Sequence, residues 1–353
     1  MAVRLGVLDS VPARAVDFAT RALPRLEIGK LQADQLSPVA VFDAGLLNRV
    51  TDHIVLGLIG YAVIRDRILW IDYAARRVVL IPAGVDVEQS DALAVAASRR
   101  ILEAALSTAA VPCRFRMTTD GKIMLRSRVT PHQGGQTTPW LNLVLDTGAS
   151  KSTLFEDLMD PKINVAKWSP ALKGLAAPTL LATSTARLSR VKRIEVQGTS
   201  GTASTSQTEV ALLRNPIAAE LAKLAGEPIH GLLGYSFLQR FRVAVDYPHR
   251  VLWLDPDPDF RDPRPYEHSH VGLQLERDRG MVRVAAVVEG SPAAQAGIKP
   301  GDEITAVDGK TLTSMNWVEV GNLFEGPAGT EIELTVRHGG VEKNHRLRRR
   351  QLL

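Results

Sequence analysis

The sequence predicts a mainly β chain: a β-rich lobe present in one full and one partial copy, then a small β-rich module with two short helices. Three observations carry this. Most of the first 256 residues run as short apolar alternations rich in Val, Ile and Leu, broken by Gly, Pro and Asn-type turns. The stretch Gly57–Pro82 recurs as Gly231–Pro256. A Pro- and Asp-rich string, Asp255 to Pro265, reads as a linker unable to form a ladder or a helix interior, and the chain beyond it carries its own turn signals.

Composition narrows the function classes. Hydrophobic residues make up 45% and charged residues 23% of the chain, which excludes a disordered, collagenous or coiled-coil protein. The net charge of +5 is scattered apart from Arg346-Leu-Arg-Arg-Arg350, and aromatic residues are only 5%, so no nucleic-acid partner is expected. The single cysteine, Cys113, excludes an internal disulfide framework and reads as structural. The histidines show no paired metal spacing, and no nucleophile elbow or P-loop appears, so neither metal nor cofactor is called for. The longest apolar run, Ile54 to Ile64, falls short of the ~20 residues of a membrane span. The N-terminus lacks a secretory pattern, so the chain as written reads as soluble and unexported.

The two copies of the repeat align without gaps, and nine positions are identical, including both glycines and an Asp-Tyr pair. Upstream, Leu23–Gly29 faces Val191–Gln197. Duplication of one lobe explains the match better than shared apolar bias. Two stretches between these blocks have helical spacing, Gln89 to Ala109 and Asn215 to Ala225. The expected domains are an incomplete first lobe (1–88), a helical connector (89–110), a second lobe (111–256), a linker (257–267) and a C-terminal module (268–353).

Within the second copy stands Leu143-Val-Leu-Asp146-Thr147-Gly148-Ala149-Ser150, followed later in the same lobe by Leu232-Leu233-Gly234. This constellation resembles the retropepsin-like aspartic proteases. The resemblance implies an acid-protease-like closed barrel lobe, in which Asp146 is catalytic, Thr147 orients, and Gly148 and Ala149 line the cleft. That chemistry needs two carboxylates about 3 Å apart, one protonated and one taking the proton of water. The plain alternative is a turn in which Asp146 accepts backbone N–H bonds. The family has two such loops, and projecting the repeat places the first-copy aspartate upstream of Met1. Val41-Phe-Asp43-Ala-Gly45 is no substitute, because it lies far closer to Gly57 than Asp146 lies to Gly231. Asp72 and Asp246 read as strand-to-turn residues. The sequence departs from the family at Ser150-Lys151, and in the absence of glycine from the flap-equivalent region, Ala177 to Leu188.

The string Gly290–Gly309 has a Ser291-Pro292 helix start, Gly297 at a left-handed exit, a Pro300-Gly-Asp302 turn and a tight Asp308-Gly309 hairpin. It resembles PDZ domains of the bacterial, protease-associated kind. The resemblance makes Val271, Gly272, Leu273, Gln274 and Leu275 the carboxylate loop and the edge strand that pairs with a peptide.

The expectation is therefore an aspartic endopeptidase acting on protein substrates, with a PDZ domain that docks substrate or regulates access. The rival is a catalytically dead peptide-binding or scaffold protein. Expected partners are protein or peptide substrates and a PDZ peptide ligand. The second carboxylate would come from a homodimer or from a missing N-terminal half-lobe, and protein starting at Met1 is expected to associate. The resemblance alone points to the periplasm or cell envelope.

Overall fold

The computed structural model describes residues 2–3, 18–28, 31–41, 58–83, 90–118, 121–178, 183–214, 222–223, 225–262 and 267–353. Asp43, Gly57 and most of the expected helix from Asn215 to Ala225 lie outside them. The chain is mainly β and forms two compact units. Residues up to Phe42 with Leu58–Ser169 and Arg190–Phe260 make the first; Pro170–Ser189 and Arg261–Leu353 belong to the second.

In the first unit, β1 (Ala2–Val3), β2 (Phe18–Ile28) and β3 (Leu31–Val41) form a small antiparallel sheet. Helix α1 (Tyr61–Ile64) leads into the hairpin β4 (Arg67–Asp72) and β5 (Arg77–Pro82), and α2 (Asp91–Ile101) follows. Next come β6 (Val111–Arg114), β7 (Arg116–Met117), β8 (Ile123–Pro131), β9 (Leu141–Leu145) and β10 (Ser152–Phe155). β11 (Ala171–Pro178) and the start of β12 (Thr183–Gln197) belong to the second unit, and the rest of β12 from Arg190, β13 (Thr202–Leu213) and β14 (Gly231–Leu233) to the first. The order β12-β13-β10-β14-β9-β8, with β12 also paired to β8, closes a six-strand barrel. Helix α3 (Tyr235–Leu238), β15 (Phe241–Asp246) and β16 (Val251–Pro256) end the unit.

The repeat is organised about a local two-fold. In the sheet β5-β4-β15-β16-β6, β4 pairs antiparallel with β15, and Trp70 stands opposite Ala244, its own counterpart in the repeat. Leu69 meets Val245 and Ile71 meets Val243, so the register is palindromic. The tyrosines repeat the symmetry: Tyr61 packs on Tyr247 and Tyr235 on Tyr73, with ring centroids 5.7 and 5.3 Å apart. Arg76 and Arg250, also counterparts, share a left-handed backbone in the turn after each Asp-Tyr. There Asp72 accepts the Ala75 N–H, and Asp246 accepts the backbone and ring N–H of His249.

This sheet is apolar on both faces, which explains its nearly unbroken Val, Ile and Leu runs. Val243, Val245, Leu252 and Leu254 join the barrel core with Phe237 and Phe241. Ile68, Trp70, Ala244, Val251 and Trp253 pack instead against α2 and the turn after it, through Ala94, Leu102 and Leu106. Such two-sided burial follows from the period-2 alternation of a strand between two layers.

Two expectations need correction. The helix expected from Gln89 to Ala109 stops at Ile101. Arg99 donates to the Ser107 carbonyl at 3.1 Å, and the Ser107 N–H and hydroxyl donate to the carboxylate of Asp255, which pulls the chain out of helical register. Asp255 and Pro256, which open the string read as unable to form a ladder although the second lobe was expected to run to 256, are ladder residues: Arg242 lies opposite Asp255 and Phe241 opposite Pro256. The buried Asp255 is ion-paired with Arg242 at 2.8 Å, and Pro256 ends the strand, where its missing N–H costs little.

The second unit holds β17 (Ser269–His270), β18 (Leu273–Asp278), β19 (Met281–Val287), α4 (Pro292–Gln295), β20 (Glu303–Val307), β21 (Lys310–Thr311), α5 (Trp317–Phe324), β22 (Glu331–His338), β23 (Val341–Arg348) and β24 (Arg350–Gln351). The order β18-β19-β20-β22-β23 leaves β18 at one edge. The core gathers Val271, Val284, Ile304, Val307, Val320, Phe324, Ile332 and Leu334. Local signals act as read: Ser291 caps α4 by accepting the Ala294 N–H, and Asp308 and Gly309 take the left-handed conformations of a tight hairpin. A reciprocal Asn316–Glu319 capping box starts α5.

Candidate functional site

The Asp-Thr-Gly loop is built by the crossing of two apolar strands. β9 runs parallel to β14, with Leu143 opposite Gly231 and Leu145 opposite Leu233. At the end of β9 the Asp146 N–H donates to the Leu233 carbonyl at 3.1 Å, and the chain turns as Ala149 N–H donates to the Asp146 carbonyl. The Asp146 Oδ1 accepts the Gly148 N–H at 2.9 Å. Asp146 and Ala149 are half-buried; Thr147 and Gly148 are exposed. Gly234 lies so close behind the loop that a Cβ there would stand 2.6 Å from the Lys151 carbonyl and 2.8 Å from that of Ala149. A second tier locks this crossing. Ser152 N–H donates to the Ser236 hydroxyl, which donates to the Glu209 carbonyl, while Gly234 N–H donates to the Ser152 hydroxyl. Lys151 pairs with the Glu209 carboxylate. Ser152, Ser236 and Glu209 were not singled out in the sequence; two serines beside the apolar-apolar-Gly and Asp-Thr-Gly elements were the available signal.

The sequence-derived residues Asp146, Thr147, Gly148 and Ala149 thus share one loop. The carboxylate of Asp146 meets a backbone amide there, as an Asx-type turn requires. Cys113 is buried, and burial pushes its thiol up to about 12, which makes it inert as a nucleophile. Burial also holds His230 below its ordinary value, and its Nδ1 accepts the Asn142 N–H.

The second candidate site is the edge of the second unit. His270 Nδ1 accepts the Gly272 N–H at 2.9 Å, the Val271 carbonyl accepts the Ala293 N–H, and the Gly272 carbonyl accepts the Val288 N–H. Gly272 has φ +90°, and a Cβ there would stand 2.2 Å from the Ser291 Cβ, so only glycine fits. From this loop Leu273, Gln274 and Leu275 run into β18, whose ladder partner among the described residues is β19 alone. Leu273 faces the core; Leu275, Trp317 and Leu323 are half-buried against it. Arg277 donates to the Met315 carbonyl at 2.6 Å and lies over the Trp317 ring, which fixes the start of α5.

Residues 283–338 match the family model of the PDZ domain. The chain is 34% identical over 121 residues to a carboxy-terminal-processing protease of Bartonella bacilliformis, covering 34% of this chain and 26% of that protein. It is 34% identical over 82 residues to a probable CtpA-like serine protease of Staphylococcus aureus, covering 23% and 16%. The chain therefore spans about a quarter or less of the length of these curated relatives. A retropepsin-like aspartic protease from Rickettsia conorii is 18% identical over 42% of this chain and 100% of that one, with a TM-score of 0.28, and this likeness decides nothing.

These findings confirm the PDZ domain and correct the expected chemistry. The relatives by name are carboxy-terminal-processing and CtpA-like serine proteases, which overturns the aspartic, retropepsin-like endopeptidase expected from Asp146. Within its own loop the Asp146 carboxylate accepts the Gly148 amide N–H.

Proposed function

We propose that the chain recognises polypeptide segments at its PDZ edge and serves proteolysis of the carboxy-terminal-processing kind. The observation that supports this reading is β18, an edge strand with one ladder neighbour among the described residues, which opens from the tight Val271-Gly272-Leu273 loop. An edge strand presents unpaired N–H and C=O groups, and an extended peptide satisfies them by adding a strand. The half-buried Leu275, Trp317 and Leu323 offer apolar surface beside it for a peptide side chain. The named relatives supply the proteolytic context.

The test is an anisotropy titration of the whole chain with a labelled peptide ending in Val, as the free acid and as the amide. The free acid should bind and the amide should bind at least about tenfold more weakly, the scale of one lost charge-assisted hydrogen bond. Gly272→Val should abolish binding, because its side chain would collide with Ser291. Absence of binding, or equal binding of acid and amide, overturns the reading.

A further inference from the structure

The hairpin of β11 and β12 belongs to the second unit, although in sequence it interrupts the barrel strands. Gln274, on the edge strand β18, turns its side-chain amide onto the backbone of Ala176. Its Nε2 donates to the Ala176 carbonyl at 2.7 Å, and its Oε1 accepts the Ala176 N–H at 2.8 Å. In this contact the amide uses one donor and one acceptor, as a neighbouring strand residue would. Glu289 N–H donates to the Lys173 carbonyl at 3.2 Å. Gly174, at φ +81°, brings backbone against backbone: a Cβ there would stand 2.8 Å from the Val287 carbonyl. Leu172 and Leu188 from the two hairpin strands close a buried apolar cluster with Val288 and Leu353.

β12 does not end with the hairpin. Its residues Val191 to Val196 pair with β8 in the barrel wall. One continuous strand is therefore laddered to β11 at its start and to β8 at its end.

We propose that a polypeptide added at β18 is sensed by the β11–β12 hairpin through Gln274, so that β12 acts as a strap reporting occupancy of the PDZ edge. This rests on the peptide binding proposed above. A second ladder on β18 restrains the backbone that carries Gln274. Holding the clamp on Ala176 then costs less ordering entropy, and each event favours the other. The coupling is reciprocal by linkage: the clamp raises peptide affinity by the factor with which peptide tightens the clamp.

Hydrogen exchange on the whole chain, with and without the Val-terminated free-acid peptide, tests this. Exchange across Leu172–Ala177 and Thr185–Ser189 should slow when peptide is bound. Leu172→Ser and Leu188→Ser, each of which loosens the apolar cluster away from β18, should speed exchange in the hairpin and weaken peptide binding about fivefold or more. Peptide bound to the wild-type chain with unchanged hairpin exchange overturns the coupling alone, and that measurement needs no variant to fold. Unchanged peptide affinity in both variants, with hairpin exchange accelerated, also overturns it. Failure of the wild-type chain to bind peptide overturns the coupling together with the peptide-binding function.

Discussion

In the second copy of the repeat, Leu252 and Trp253 lie inside β16 with relative exposures of 0% and 3%; their counterparts Val78 and Val79, in β5, are 64% and 37% exposed. Ile59 and Leu233 differ likewise, 50% against 0%. Both copies make the same hairpin, the same left-handed arginine turn and the same aspartate contact within the turn. What differs is the neighbourhood. β16 is laddered on both sides, by β15 and β6, and β14 by β9 and β10. Among the described residues β5 has β4 alone, and Leu58–Gly60 forms no strand. The comparison teaches that repeated residues specify a local shape, while burial is conferred by strands that come from elsewhere.

Substitutions at paired positions sharpen this comparison. Leu233→Ala should cost about 2–5 kcal/mol by leaving a cavity between β9 and β10, while Ile59→Ala should cost no more than about 0.5 kcal/mol. Urea unfolding checks both, and equal costs would break the contrast. Asp255, whose counterpart is the apolar Ile81, should come next. Asp255→Ala removes the acceptor of Arg242 and Ser107, and should cost about 2–3 kcal/mol, less than breaking a wholly buried pair because Arg242 can turn to water. The same variant should release the chain after α2, read as a gain of helical circular dichroism. Trp253→Phe removes the 2.9 Å bond from the indole N–H to Ser98 and should cost about 1 kcal/mol, whereas Val79→Phe at the exposed counterpart should be close to neutral.

The smallest effect at neutral pH concerns the paired tyrosines. Burial, with Tyr235 adding to it, pushes Tyr73 up to about 12, and burial with Tyr61 does the same for Tyr247. The folded state therefore holds these phenolic protons more tightly than the unfolded chain, whose tyrosines titrate near 10. Their contribution is fully present below about pH 10 and is lost as pH rises through about 12. The Tyr73 hydroxyl has no hydrogen-bond partner among the described residues, so Tyr73→Phe should leave neutral stability within about 0.5 kcal/mol and reduce the alkaline loss. Spectrophotometric titration against unfolding checks it; a normal tyrosine titration in the wild-type chain would sink the prediction.

Much of the fold was legible because its signals are local. Ser291-Pro292, Gly297 and Asp308-Gly309 each act within a few residues, so the sequence alone located the PDZ helix start and its hairpin. The repeat likewise announced two hairpins, each closed by its own Asp-Tyr turn. The Asp146 loop was legible as a loop, while the aspartic-type function expected from it is overturned by the named serine-protease relatives. A motif names residue types, whereas what surrounds a carboxylate is set in three dimensions; the Gly148 amide two residues on is a local contact that the Asx-type turn already supplies.

What only the tertiary structure decided joins residues far apart in the chain. The end of α2 depends on Asp255, 148 residues beyond Ser107 in sequence; the clamp on the β11 backbone depends on Gln274, 98 residues beyond Ala176. Neither pair leaves a mark in local propensity, because a Gln in a strand of mixed polarity and an Asp before a proline each have an ordinary solvent-facing alternative. The sequence by itself determined the turns, the strand runs and the internal repeat, where φ/ψ preference and alternation act over a few residues. Which edges were covered, and which side chains became clamps, was decided by packing, where free energy depends on partners that no local pattern encodes.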